Sequence, residues 1–156
     1  MFWKRNSHIL APQSGKCISV IEIPDEVFSE KILGDGVAII PSENEVVSPV
    51  DGEIVQVAET GHAFCIRSSD GLDIMIHIGV DTVKLKGEGF KSFVKNGDIV
   101  HKGDLISTAD IEFIKSKGFP IHTAMLITNL HEVNLVKQNY GEVKRGKTTV
   151  IEYTKK

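Results

Sequence analysis

Residues 60–79 read Thr60-Gly61-His62-Ala63-Phe64-Cys65-Ile66-Arg67-Ser68-Ser69-Asp70-Gly71-Leu72-Asp73-Ile74-Met75-Ile76-His77-Ile78-Gly79. Two apolar, β-branched runs flank Ser68-Ser69-Asp70-Gly71, a cluster of turn-forming residues, so the stretch is expected to fold as an antiparallel hairpin. If Ser69-Asp70 is a two-residue loop, facing residues have numbers summing to 139, and His62 faces His77 within about 5 Å at Cβ. That register sets Phe64 against Met75 and Ile66 against Asp73. If Asp70-Gly71 is the loop, the sum is 141 and the two histidines are diagonal neighbours. Either register puts both imidazoles on one face, with Thr60 beside His62. Apolar surroundings disfavour the imidazolium, because it loses hydration. A neutral pair can divide the work, one ring offering a nucleophilic nitrogen and the other an N–H donor for an anion. Packing of two strand histidines without chemistry is the alternative at this point.

The rest of the chain repeats the hairpin's grammar. Its 156 residues include 14 glycines against 5 prolines, and glycines recur at the ends of short β-branched runs, as an all-β fold with tight turns requires. Strands are expected at 16–23, 36–40, 53–59, 63–67, 72–78, 98–101, 104–107, 121–127 and 148–153. Several are apolar at nearly every position, which suggests burial on both faces within a sandwich. Asp110 can cap a helix whose apolar face is Ile111, Phe113 and Ile114, ended by Gly118 and Pro120. Residues 25–32 carry a weaker helical signal. Pro12 to Gly15 and Pro49 to Gly52 echo each other as turns leading into strands. Gly97 to Asp104 and Gly141 to Gly146 read as hairpin turns rather than ligand loops. The fold class is therefore all-β, an antiparallel flattened sandwich or barrel with one or two short helical turns. Length predicts one domain over 11–156, preceded by a flexible tail at 1–10.

Composition removes several functions. Charged residues make up 25% and hydrophobics 41%, a globular balance, and the formal net charge is −3. A nucleic-acid binder normally shows a basic patch. Two cysteines, Cys17 and Cys65, are too few for a disulfide scaffold and suit a reducing compartment. No apolar run reaches the length of about 18 residues that a spanning helix needs. Met1-Phe2-Trp3-Lys4-Arg5 lacks the apolar core of a signal peptide, so a cytoplasmic location is expected. No Gly-x-x-x-x-Gly-Lys-Ser/Thr loop is present, so a nucleotide-binding loop of that kind is not expected.

Ile76-His77-Ile78-Gly79-Val80-Asp81-Thr82-Val83-Lys84-Leu85-Lys86-Gly87-Glu88-Gly89-Phe90 resembles the signature of the glucose-type IIA domain of the bacterial phosphoenolpyruvate-dependent sugar phosphotransferase system. Upstream, Ile23-Pro24-Asp25-Glu26-Val27-Phe28-Ser29-Glu30-Lys31, Gly34-Asp35-Gly36-Val37-Ala38-Ile39, Ser48-Pro49-Val50-Asp51-Gly52 and Thr60-Gly61-His62-Ala63-Phe64 match in order and spacing. Gly97 to Asp104 matches downstream, so the resemblance covers about residues 10–154.

The resemblance implies a flattened antiparallel sandwich and a phosphocarrier, a phosphotransferase component. His77 aligns with the acceptor, phosphorylated at Nε2. His62 aligns with the partner whose Nε2–H holds the phosphoryl oxygens, and Thr60 with the hydroxyl supporting His62. Gly79 aligns with the residue whose carbonyl holds His77 Nδ1–H. Asp25 and Asp81 resemble an acidic pair at the rim, placed to meet an arginine of the donor, and Phe28, Val37, Met75 and Val83 would form an apolar surround. The implied donor is phospho-HPr, and the implied acceptor is a cysteine on the IIB part of a sugar permease. No cofactor is required; zinc at His62 and His77 would need a carboxylate from a partner. A mainly regulatory family member, signalling sugar supply by phosphorylation-dependent binding to other proteins, is the alternative function. Met75 stands where many members have an aromatic residue, and Gly61 replaces a common polar residue. Attached IIB and IIC portions are absent from the sequence, which fits a free-standing carrier or a domain working in trans.

Two other classes fail on their chemistry. His77-x-x-x-Asp81 matches half the ligand set of lysostaphin-like zinc peptidases, but no His-x-His pair accompanies it and a catalytic zinc needs three protein ligands. A lipoyl or biotin carrier would need a modified lysine in a Met-Lys or Asp-Lys turn, which the segment 97–104 does not contain.

Overall fold

The computed structural model describes residues 6–156. Its strands are β1 (Ser7–Leu10), β2 (Gly15–Ser19), β3 (Asp35–Pro41), β4 (Glu45–Val47), β5 (Gly52–Val57), β6 (Ala63–Ser68), β7 (Asp73–Ile78), β8 (Phe90–Ser92), β9 (Ile99–Val100), β10 (Leu105–Ala109), β11 (Thr123–Ile127), β12 (Val133–Gln138), β13 (Gly141–Val143) and β14 (Thr149–Lys155). Two short helices, α1 (Glu26–Ser29) and α2 (Ile111–Ser116), interrupt them. Asp25 and Asp110 cap these helices, accepting from the backbone N–H of Val27 and Phe113 respectively. An eight-stranded sheet runs β13-β2-β3-β11-β7-β6-β5-β9, and two three-stranded sheets run β1-β14-β12 and β4-β10-β8. The strand pairs are antiparallel, as expected for a sandwich.

Burial explains the two kinds of strand. In β6 and β7 alternate residues are buried, so Phe64 and Ile66 join Ile74, Ile76 and Ile78 in the main core. Met75 and His77 stand on the other face. β11 is buried along its whole length, because α1 and the turn at Val20–Glu22 cover its outer face with a second cluster. That cluster includes Val20, Ile23, Phe28, Ala38, Ala124 and Leu126. Continuous apolar runs thus mark strands with two covered faces, and alternation marks the open part of the sheet.

Several expectations need correction. The β6–β7 loop has three residues. Ser68 N–H donates to the Leu72 carbonyl at 2.8 Å, Gly71 N–H donates to the Ser68 carbonyl at 2.9 Å, and Gly71 takes φ 93°. Facing residues therefore sum to 140, and Ala63 pairs with His77, Phe64 with Ile76 and Ile66 with Ile74. A turn closed by a left-handed glycine adds the one residue that separates this register from both two-residue alternatives. The Gly97–Asp104 segment is not a hairpin: β9 pairs with β5, whereas β10 pairs with β4 and β8. The Gly141–Gly146 segment likewise crosses between sheets, with β13 on β2 and β14 between β1 and β12. Residues 7–10 are no tail, for β1 pairs with β14 and Ile9 is fully buried. The expected tail at residues 1–5 lies outside the described residues.

Candidate functional site

His77 is the fifth residue of β7, on its open face, directly across from Ala63 on one side and Ala124 on the other. Small neighbours on both sides leave its ring standing above the sheet. Just beyond it the chain turns at Gly79, φ 76°, and the Gly79 carbonyl lies 2.9 Å from His77 Nδ1. A carbonyl oxygen only accepts, so Nδ1 carries the hydrogen and the neutral ring keeps its lone pair on Nε2. The nucleophilic atom is fixed by the backbone.

His62 arrives differently. It precedes β6, in the bend after Gly61 (φ 72°), and its carbonyl accepts from Ile78 N–H at 2.8 Å. A straight extension of β6 would send this side chain to the core face with Phe64. The bend re-aims it, and the rings of His62 and His77 stand nearly perpendicular with centroids 5.0 Å apart. Thr60 Oγ1 lies 2.7 Å from His62 Nδ1. With the hydroxyl donating, His62 carries its hydrogen on Nε2, giving one lone pair and one N–H in the same site. Phe28 packs against His77 at 5.1 Å between centroids, and Phe90 against His62 at 6.5 Å.

The electrostatics keep both rings neutral. Burial strips water from the charged form and holds His77 below the ordinary imidazole value; the Gly79 carbonyl and the Asp25 and Asp81 carboxylates pull it back up. His62 is lowered first by burial and then by repulsion from His77.

The expected surround is redistributed. Asp25 and Asp81 are on the site side, since both carboxylates act on His77. Phe28 packs on His77, Met75 is half-buried against the second cluster, and Val83 is exposed. Val37 is not part of the patch: it is fully buried in the main core. On β3 the residue aligned with Ala124 and His77 is Ala38, and a shift of one residue exchanges the two faces. Sequence reasoning missed Phe90, whose ring packs against His62.

The antiparallel sandwich thus presents an oriented imidazole with its lone pair on Nε2 beside a second imidazole that offers an N–H, the donor and acceptor set that a small anionic group needs. A family model for the phosphoenolpyruvate-dependent sugar phosphotransferase system, EIIA 1, matches residues 7–133. The chain belongs to this family, and it is a phosphocarrier with the phosphotransferase character of EIIA components. It is 45% identical over 150 residues to the PTS system glucose-specific EIIA component of Buchnera aphidicola subsp. Acyrthosiphon pisum, covering 96% of this chain and 93% of the relative. It is 47% identical over 124 residues to the PTS system glucosamine-specific EIICBA component of Bacillus subtilis, covering 80% of this chain and 20% of that longer protein. The solved structure of glucose permease IIA from Mycoplasma capricolum superposes with a TM-score of 0.91 at 39% identity, covering 97% of this chain and 98% of the other.

Proposed function

We propose that His77 Nε2 takes a phosphoryl group from phospho-HPr and passes it to a cysteine on the IIB part of a glucose-class sugar permease. The observation that carries this reading is the 2.9 Å approach of the Gly79 carbonyl to His77 Nδ1, which leaves Nε2 as the lone-pair nitrogen. In uptake the Nε2 lone pair forms the new N–P bond as the donor's N–P bond breaks, its electrons returning to the donor nitrogen. The phosphorylated ring retains Nδ1–H on Gly79. In onward transfer a thiolate of IIB attacks phosphorus, and the N–P electrons return to His77 Nε2. Positioning and donors provide most of the catalysis of such a step, and His62 Nε2–H supplies a donor without a fixed cation that would trap the group.

Asp25 and Asp81 give the rim a negative character suited to an arginine beside the donor's phosphohistidine. The permease as acceptor is supported by the EIICBA relatives, named as single chains that include the IIA component. Zinc enters this reading only in a partner complex: among the described residues no three His, Cys, Asp or Glu are gathered to hold a metal, so the imidazole pair would need a carboxylate from outside the chain. The reading assigns the chain to the cytoplasm. Among the described residues no helix is long and apolar enough to cross a membrane.

Incubation with phosphoenolpyruvate, Enzyme I and HPr tests the proposal. An acid-labile label that disappears in His77→Ala supports it, and label that persists in that variant overturns it.

A further inference from the structure

The turn after His77 carries two left-handed residues, Gly79 at φ 76° and Asp81 at φ 60°. Aspartate is among the few non-glycine residues that enter that region, and bonds on either side of Asp81 fix the turn. Gly79 N–H donates to the His122 carbonyl at 2.9 Å and Val80 N–H to the Pro120 carbonyl at 3.1 Å, which ties the turn to the segment leading into β11. Lys84 N–H donates to the Asp81 carbonyl at 3.1 Å. The side chain that closes the turn on itself is Thr82. It is fully buried, and its Oγ1 donates to the Ile78 carbonyl at 2.5 Å. Its methyl occupies the space that a Cβ on residue 79 would need.

A buried hydroxyl loses its hydration and must recover it in a hydrogen bond. Valine would fill the same volume without that cost, so packing alone does not account for threonine here. The bond spans Ile78 to Thr82 and encloses the peptide whose oxygen faces His77 Nδ1. Rotation of that peptide would withdraw the acceptor and free the ring to place its hydrogen on Nε2, where the lone pair is needed. The same closure delivers Asp81 to the rim.

We propose that Thr82 is a positioning residue of the phosphoryl site, its hydroxyl setting the turn that aims the Gly79 carbonyl at His77. This rests on the reading of His77 as the acceptor. The tautomer of His77 is a readout that a purely structural role would not move. It is recorded by nitrogen-15 NMR of the ring in the full chain, above the ordinary imidazole pKa of about 6.5, alongside uptake from phospho-HPr. Wild type and Thr82→Ser keep the Nδ1–H tautomer and wild-type uptake. Thr82→Val, isosteric but without the donor, populates Nε2–H and slows uptake about tenfold, ~1.4 kcal/mol of barrier. A folded Thr82→Val with Nδ1–H intact and full uptake overturns the proposal. Should Thr82→Val fail to fold, Thr82→Ser decides alone: loss of the Nδ1–H tautomer in that folded variant overturns it. Failure of wild-type His77 to take phosphate would overturn the acceptor reading instead, and the tautomer comparison would still judge Thr82.

Discussion

His62 and His77 meet with ring centroids 5.0 Å apart and planes at 81°, although the residue paired with His77 across the sheet is Ala63. The two rings are held by different means. His77 is fixed to a backbone carbonyl, and His62 hangs from a side-chain hydroxyl after a glycine bend. Under the proposed function, that difference suits an acceptor, His77, whose lone-pair atom must not change, and a donor, His62, held by a single side-chain bond.

Replacing His62 by glutamine separates these duties. An amide N–H can still reach phosphoryl oxygens, so His77 in His62→Gln still accepts phosphate. Onward transfer falls about 100-fold, because the flexible amide lacks the alignment that Thr60 gives the imidazole N–H. Quench-flow measurement of uptake and of delivery to IIB checks this, and unchanged delivery would remove His62 from the mechanism.

Both imidazoles are lowered by burial, and His122 is lowered in the same way. The folded chain therefore binds fewer protons than the unfolded chain as pH drops below about 6.5. Stability is fully present above that pH and is lost as pH falls toward the folded-state values. Phosphoryl uptake declines only at the acid end of that range, as pH falls through the lowered folded-state value of His77, because a protonated Nε2 has no lone pair. Urea midpoints measured across pH should decrease on acidification, with a shallower slope in the double variant His62→Gln, His77→Gln and a residual from His122. A midpoint that rises on acidification would contradict this account.

The legible and illegible parts of the chain differ in physical character. Glycine-bounded β-branched runs revealed the antiparallel class, and Asp110 marked α2, because these signals are local. The β6–β7 register was off by one because it depends on Gly71 entering the left-handed region, which alternation does not report. Val37 and Ala38 could not be assigned to faces, since β3 is apolar on both. β4, β8 and β13 have three residues each, too few for a period, and β1 is ordered by β14 from the far end of the chain. At the site, Thr60, His62, His77 and Gly79 were legible as a group through their motif. Phe90 and Thr82 were not, because their contacts arise only when the turn after β7 folds back.

Gly79→Ala tests that turn. The residue's φ of 76° is unfavourable for alanine, and a Cβ would overlap the Thr82 methyl. Left-handed strain of about 1–2 kcal/mol plus overpacking of about 1–3 kcal/mol gives a loss of roughly 2–5 kcal/mol. Thermal melts should show a Tm lower by about 4–20 °C. An unchanged Tm would mean the turn is softer than described.

Asp25→Asn and Asp81→Asn examine the rim by removing charge. Asparagine caps helices as well as aspartate, so α1 persists in Asp25→Asn. Each variant should reduce the association rate with phospho-HPr severalfold at low salt, and the difference from wild type should shrink as salt rises. Stopped-flow rates across ionic strength decide this; a salt-independent deficit would point to lost shape rather than lost charge.

The central claim is that the Gly79 carbonyl selects His77 Nε2 as the phosphorylated atom. Phosphorus–nitrogen coupling in NMR of the nitrogen-15-labelled phosphoprotein tests it most directly. The account predicts phosphorus coupled to Nε2 of His77, with Nδ1 still protonated. Phosphorus on Nδ1, or on another residue, would contradict it.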